Sequence, residues 1–396
     1  MRFTFTEQQE NFRREVRDFL AEQLRAGAFS VHSASLVGAV SREFSSKMAG
    51  KGWIGLTWPP KYGGQGRSYV EKMILNEELF RLQAPVGYHF SADRQVGPAL
   101  MKFGSEWQKE YFLPRIVRAE EGIDFCLLFS EPNAGSDLAS VATKAEKDGD
   151  GYIVSGQKVW TSGGHIADYG WLLAKTNMDP AVPGHLSCSE FILDMRSPGV
   201  TVRPIVNIAG VHSFNEVFLD EVRIHEKHLV GRENEGFKQI MAQVDYERAG
   251  IERLMQNYPV YNRLKDHVLR LDKTARSAEY HAWVKDALAR LEVEFQTGRL
   301  LCYYTAWLVD QGRNVSSQAA LTKTFCTQFE QRVNDIALQI LGPVGQIRQG
   351  GLWSPPVFIE DLVESYLWGP SYTLQGGSVE ILKNIVAQRG LGLPRQ

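Results

Sequence analysis

The sequence predicts an α+β chain in which a region of strands sits between two regions of helices. Apolar residues recur at helical spacing over residues 1–122, alternate at period two over 123–232, and return to helical spacing over 233–396. We take these as an N-terminal helical domain, a middle β domain and a C-terminal helical domain.

In the first region Thr6-x-x-Gln9 fits a capping box, and Phe12, Val16, Phe19 and Leu20 then share a face. Ser45–Lys51 reads as a helix end stopped by Gly50 and Gly52. Gly52–Gly66 is too rich in Gly and Pro for a helix and predicts an ordered loop. Helical segments follow over Val70–Leu82, Ala92–Phe103 and Glu106–Val117, with Pro114 near the end of the last. In the middle region Lys144–Lys147, ending at Asp148-Gly149-Asp150-Gly151, reads as a strand and hairpin turn. Tyr169–Lys175, Glu190–Asp194, Val200–Val206 and Asn215–Val222 continue the strands. The last region predicts helices over Gly236–Gly250, Leu254–Leu271, Ala278–Gln311 and Ser317–Leu341, patterned as in a packed bundle.

Composition narrows the function classes. The chain is 43% hydrophobic and 23% charged with a net charge of −2 and no block of like charge, so nothing points to nucleic acid. Cys126, Cys188, Cys302 and Cys326 are scattered without metal spacing and read as free thiols of a reducing compartment; no metal is expected. No apolar leader and no run of about 18 apolar residues appears, which predicts a soluble, cytoplasmic protein without a membrane segment.

Two stretches carry the chemistry. Phe125–Asp137, FCLLFSEPNAGSD, is a short apolar run followed by turn formers; Gly156–Gly164, GQKVWTSGG, places Trp160 two residues from the Ser162 hydroxyl and before paired glycines. Ile153–Val154 and Val159–Trp160 bracket a predicted turn. The second stretch offers a planar ligand a stacking face, a donor and close backbone approach. An ordinary β-hairpin with a core Trp explains it equally well on its own.

Together these stretches resemble the acyl-CoA dehydrogenase family, and the resemblance extends to GWIGLTWPPKYGGQG at 52–66, QILGPVG at 339–345 and GGSVEILKNIVAQRGLGLP at 376–394. It implies an N-terminal helical domain, a β-barrel-like middle domain and a C-terminal four-helix bundle. It also implies bound FAD, an acyl-CoA substrate and an electron-transfer flavoprotein as electron acceptor. By this resemblance Leu128, Phe129 and Ser130 face the pyrimidine edge of the flavin and Trp160 flanks the ring. Ser162 reaches N5 where relatives usually have Thr, and Ser378 and Glu380 touch the same subunit's FAD. Gln339 and Gly342 match the segment that holds a neighbouring subunit's FAD, with Pro343 where a second Gly is usual. The Arg and Phe-Gly that complete that contact have no match in Glu252–His267, ERLMQNYPVYNRLKDH. Either a related partner supplies the contact in an α2β2 heterotetramer, or Arg253 or Arg263 does so in a homodimer or homotetramer.

Oxidation beside a thioester needs a base for the α proton, an acceptor for the β hydride, and donors that hold the carbonyl oxygen. In relatives the donors are a backbone N–H and a ribityl hydroxyl of FAD, and the usual base is a Glu at the position of Gly376, where Gly cannot serve. Branches acting on bulky acyl groups place the base on the first C-terminal helix, and Glu247 in Asp245-Tyr246-Glu247-Arg248 matches that position. Burial beside an acyl chain would raise its pKa toward neutrality. A solvated helix Glu is the plain alternative. The resemblance further gives Asp245 to the pantetheine amides, Arg248 to the CoA arm and Ser136 to the carbonyl end of the substrate. Gly376 and Gly377 leave room for a bulky, branched or cyclic acyl group. GYHFSADRQ at 87–95 resembles branches that degrade ring-containing or steroid side chains; Arg94 there meets a substrate carboxylate or keto group, or pairs with Asp93 or Glu77. Competing readings are a half-catalytic subunit of a heteromer, or a relative with desulfinase or monooxygenase chemistry.

Overall fold

The computed structural model describes residues 4–31, 39–248, 250–271, 277–347 and 357–394, apart from the side chains of 244–247, 357, 358 and 360. Helices come first: α1 (Glu7–Arg25), α2 (Arg42–Gly50), α3 (Tyr69–Arg81), α4 (Gly87–Ser91), α5 (Gly97–Phe103) and α6 (Glu106–Val117). Thr6 closes the expected capping box on α1, its hydroxyl accepting from Gln9 N while the Gln9 side chain accepts from Thr6 N. The helix expected over 92–103 instead begins with a π turn, Ala92–Val96, that delays α5 to Gly97. Such a turn shifts register within an unbroken helix, and apolar spacing alone does not reveal it.

The strands are β1 (Phe125–Leu128), β2 (Lys144–Asp148), β3 (Gly151–Lys158), β4 (Tyr169–Lys175), β5 (Cys188–Asp194), β6 (Val200–Val206), β7 (His212–His225) and β8 (Leu229–Val230). They form one sheet ordered β6-β7-β3-β2-β4-β5-β8, with β1 paired in parallel to β4. Its two ends, β6 and β8, are not paired to each other, so the sheet is open. The turn expected between Val154 and Val159 is instead a bulge. β3 runs on through Gly156, where a Cβ would lie 2.4 Å from Thr143 Oγ1, and its register against β7 shifts between Val154 and Gly156. Cys126, Leu128, Tyr152, Leu172, Phe191, Val217 and Ile224 lie in the core of the sheet.

Helices then return as α7 (Gly236–Arg248), α8 (Glu252–Met255), α9 (Tyr258–Leu269), α10 (Ala278–Asp310), α11 (Ser316–Leu341), α12 (Val357–Leu374) and α13 (Val379–Ile385). The helix expected over 254–271 is broken between α8 and α9, and Pro259 sits in the first turn of α9, where its missing N–H is harmless. The chain forms two units. One comprises residues 1–39, 68–84 and 248–396, so α1 and α3 pack with the C-terminal helices; the other comprises 40–67 and 85–247. In the first, Arg13 donates to Glu77 at 2.7 Å and Glu78 at 2.6 Å, tying α1 to α3. Among the described residues all four cysteines are free and buried, and no helix is long and apolar enough to cross a membrane.

Candidate active site

The sheet brings the two signature stretches side by side. Val159 N donates to Ser130 O at 2.9 Å, so the chain leaving β3 is zipped to the chain leaving β1. Lys158, fully buried, donates to Phe129 O at 3.1 Å and to Glu131 Oε1 at 2.8 Å. The Glu131 carboxylate also accepts the backbone N–H of Ala142 at 2.6 Å and of Thr143 at 2.9 Å. Burial pushes the Glu131 carboxyl up, but the Lys158 charge and these donors bring it below the usual carboxylate range. Burial draws Lys158 down to about 8 against the pull of Glu131. Sequence reasoning missed this pair, although Glu131 and Lys158 lie inside the two quoted stretches. An acid and a base at the ends of otherwise apolar strands were the available signal.

Trp160 follows immediately with φ +60°, a left-handed conformation rare for a bulky residue. Trp160 is 59% exposed and its ring meets the edge of Phe214, centroids 5.9 Å apart, which rules out the core-Trp reading. Ser162 is half-buried two residues on, and Thr161 Oγ1 between them is buried without a hydrogen-bond partner among the described residues. An open indole face, a hydroxyl and an unsatisfied buried oxygen on one short segment fit a planar, polar-edged ring such as a flavin. Leu128 needs a narrower role than expected. Its side chain is fully buried in the sheet core beneath Gly170, so only its backbone remains for a ligand. Phe129 packs partly buried against Leu173, Cys188 and Ile240, and Ser136 is exposed on the turn after Ala134.

The helix that carries residue 247 is fixed to the sheet at its start and middle. A Cβ on Gly236 would lie 2.7 Å from the carbonyl carbon of Ser189, so only Gly lets the first turn of α7 sit this close to β5. Further along, Gln243 Nε2 donates to Glu190 Oε1 at 3.0 Å and Oε2 at 2.9 Å, while Trp171 Nε1 donates to Oε1 at 2.7 Å. Residue 247 follows Gln243 by one turn on the α7 backbone; the side chains of Asp245 and Glu247 lie outside the described residues. Burial pushes the Glu190 carboxyl up to about 8 even though Trp171 and Gln243 pull the other way. Below its ordinary value of 4.5 the folded and unfolded chains both hold this proton. As pH rises toward about 8 the unfolded chain loses it and the folded chain keeps it, so folding stability falls by about 1.4 kcal/mol per pH unit. Asp124, also pushed up to about 8 by burial, adds a slope of the same sign. Glu190→Gln therefore flattens, without abolishing, the loss of stability between pH 5 and 8, as denaturant midpoints of variant and native protein across that range will show.

The remaining expected residues, Arg94 apart, lie in the other unit. Gly376 and Gly377 have φ +66° and +96°, and two buried cations hold their carbonyls: Arg248 Nε donates to Gly376 O at 3.2 Å and Lys323 Nζ to Gly377 O at 2.8 Å. Ser378 caps α13, its hydroxyl accepting from Ile381 N at 3.4 Å, and Glu380 is exposed in the first turn of that helix. Gln339 is exposed and donates to Asp335 one turn back, and Gly342 ends α11 with φ +62°. In the sheet-bearing unit, the Arg94 guanidinium lies 4.7 Å above the Phe90 ring. Asp93 accepts from Gly55 N at 3.0 Å, and the Glu77 carboxylate is taken by Arg13, Arg299 and Tyr303. Among the described residues no group of His, Cys, Asp and Glu is arranged to hold a metal ion.

The acyl-CoA dehydrogenase N-terminal, middle and C-terminal domain families match residues 6–120, 126–222 and 234–391. The acyl-CoA dehydrogenase IpdE1 of Mycobacterium tuberculosis is 33% identical over 98% of both chains. Among solved structures, the Tcur3481-Tcur3483 steroid ACAD superposes with a TM-score of 0.86 at 31% identity over the whole of both chains. The ChsE4-ChsE5 complex from M. tuberculosis does so at 0.84 and 30%, again over the whole of both.

Proposed function

We propose a reaction that proceeds from one fact: this chain belongs to the acyl-CoA dehydrogenase family, whose members oxidise acyl-CoA thioesters with FAD. When bound, FAD supplies the acceptor for the hydride leaving the β carbon. Glu247 takes the α proton. The backbone of Leu128–Ser130, the Trp160 face and the Ser162 hydroxyl hold the flavin, and Ser378 and Glu380 add contacts from the start of α13. Gln339 and Gly342 serve a neighbouring subunit's cofactor. Asp245 accepts from the pantetheine amides and Ser136 contacts the thioester end. Arg248 serves the CoA arm by steadying the Gly376–Gly377 loop.

The observation that carries this reading is the conformation of that loop. Both glycines have left-handed backbone, and a Cβ on Gly377 would lie 3.0 Å from the Arg248 guanidinium. A side chain there is strained, so the loop offers backbone alone and the acid comes from another element. A loop without side chains favours a bulky, branched or cyclic acyl group, and the likeness to a steroid ACAD points the same way. Arg94, stacked on Phe90, is the residue offered to a polar group on that acyl chain.

A second feature concerns assembly. The missing Arg and Phe-Gly motif, together with likeness to the Tcur3481-Tcur3483 steroid ACAD and the ChsE4-ChsE5 complex, supports a heteromer with a related subunit. An electron-transfer flavoprotein is the acceptor that reoxidises the enzyme. The test is to express the chain alone and with a related neighbour chain, record flavin absorbance, and titrate anaerobically with straight, branched, aromatic and steroidal CoA thioesters. Bleaching by the bulky thioesters in preference to the straight ones is expected. Bound flavin that no thioester bleaches would refute dehydrogenation, and full flavin content in the chain expressed alone would refute the need for a partner.

A further inference from the structure

Something must hold a tryptophan in left-handed backbone with its ring in the open. Upstream, the Val159–Ser130 bond fixes the chain. Downstream, among the described residues, Thr161's backbone N–H and C=O are hydrogen-bonded outside their own turn to Asn215, which is fully buried on β7. Thr161 N donates to Asn215 O at 3.0 Å, and Asn215 Nδ2 donates back to Thr161 O at 2.9 Å. A carbonyl only accepts, so this contact fixes which end of the Asn215 amide is nitrogen. The rest follows. Nδ2 spends its second proton on His165 Nδ1 at 3.2 Å, and Oδ1 accepts from His212 Nε2 at 2.8 Å. The two imidazoles lie face to face, centroids 4.1 Å apart and tilted by 30°. One amide thus joins the segment 160–162 to both histidines.

We propose that Asn215 is a positioning residue: its amide clamps the Thr161 backbone and so fixes the Trp160 face and the Ser162 hydroxyl. This rests on the placement of the flavin at Trp160 proposed above. Neither hydrogen bond reaches a ligand directly, so loss of the clamp changes alignment rather than contact. Placement errors on the ångström scale cost rate more than affinity.

The test uses the holoenzyme and two variants. Asn215→Asp keeps the shape and removes both amide donors; Asn215→Ala removes the clamp altogether. Melting curves identify which variants are folded. In a folded variant, kcat falls about 10- to 100-fold while KM stays within about threefold. The visible circular dichroism of bound flavin shifts, and the share of acrylamide quenching assigned to Trp160 by difference from Trp160→Phe changes. A folded Asn215→Asp protein with native kcat, dichroism and quenching overturns the proposal. The quenching arm needs no substrate, so it decides the role of Asn215 even if no thioester bleaches the flavin and the dehydrogenase reading fails.

Discussion

Glu247→Gln lowers thioester dehydrogenation by about 10²–10⁴-fold, the contribution of a positioned general base, and leaves FAD bound. The amide keeps size and hydrogen-bonding capacity but cannot accept the α proton. Residue 247 is on α7, a different element from the Trp160 segment that is offered to the flavin, so the variant should stay yellow. No acid at position 376 takes over the role, since Gly376 has only backbone to offer. Stopped-flow bleaching with a thioester that the native enzyme oxidises measures the effect. A variant that bleaches at the native rate removes Glu247 from the mechanism.

The largest expected effect on stability falls on the buried ion pair between the signature stretches. Lys158→Met leaves the Glu131 carboxylate, 7% exposed, without its cation while the backbone donors of Ala142 and Thr143 still hold it in place. Removing one partner of a buried pair costs about 3–5 kcal/mol. The double variant Lys158→Met/Glu131→Gln removes both charges and recovers most of that loss, since no buried charge is left unpaired. Urea midpoints at neutral pH compare the three proteins. Equal midpoints for the single and double variants would mean that the loss is one of packing rather than of charge. Because Lys158 also donates to Phe129 O, the single variant is expected to lose flavin more readily than native protein.

The legible parts of the fold were those where one local signal dominates. Thr6 and Gln9 announced the start of α1, Asp148-Gly149-Asp150-Gly151 announced the β2–β3 hairpin, and Pro114 did not displace the end of α6. The illegible parts depend on partners distant in sequence. Gly156 looks like a turn residue until Thr143 is seen pressed against it, and the π turn at Ala92–Val96 leaves the apolar pattern almost unchanged. α1 and α3 belong with the C-terminal helices, where Arg13 and Glu77 meet Tyr303 and Glu77 also meets Arg299 of α10, a grouping that no reading of one region alone could give.

At the site the same division holds. Trp160 and Ser130 stand in two short motifs that the sequence singles out together, but the Val159–Ser130 bond that pairs them is seen only in the fold. The Glu131–Lys158 pair, the Glu190–Gln243 anchor of α7 and the Asn215 clamp each join residues whose partners the sequence does not announce. They are polar groups inside apolar segments, and their buried partners are what make them tolerable.

Deuterium exchange at the α carbon isolates proton abstraction from every later step. Holoenzyme is incubated in heavy water with a bulky CoA thioester whose β position is a sulfur atom, so that no hydride can leave, and the mass of the thioester is followed. Rapid exchange with native protein and its loss in Glu247→Gln is the expected result. Exchange at the same rate in both would contradict the assignment of the base.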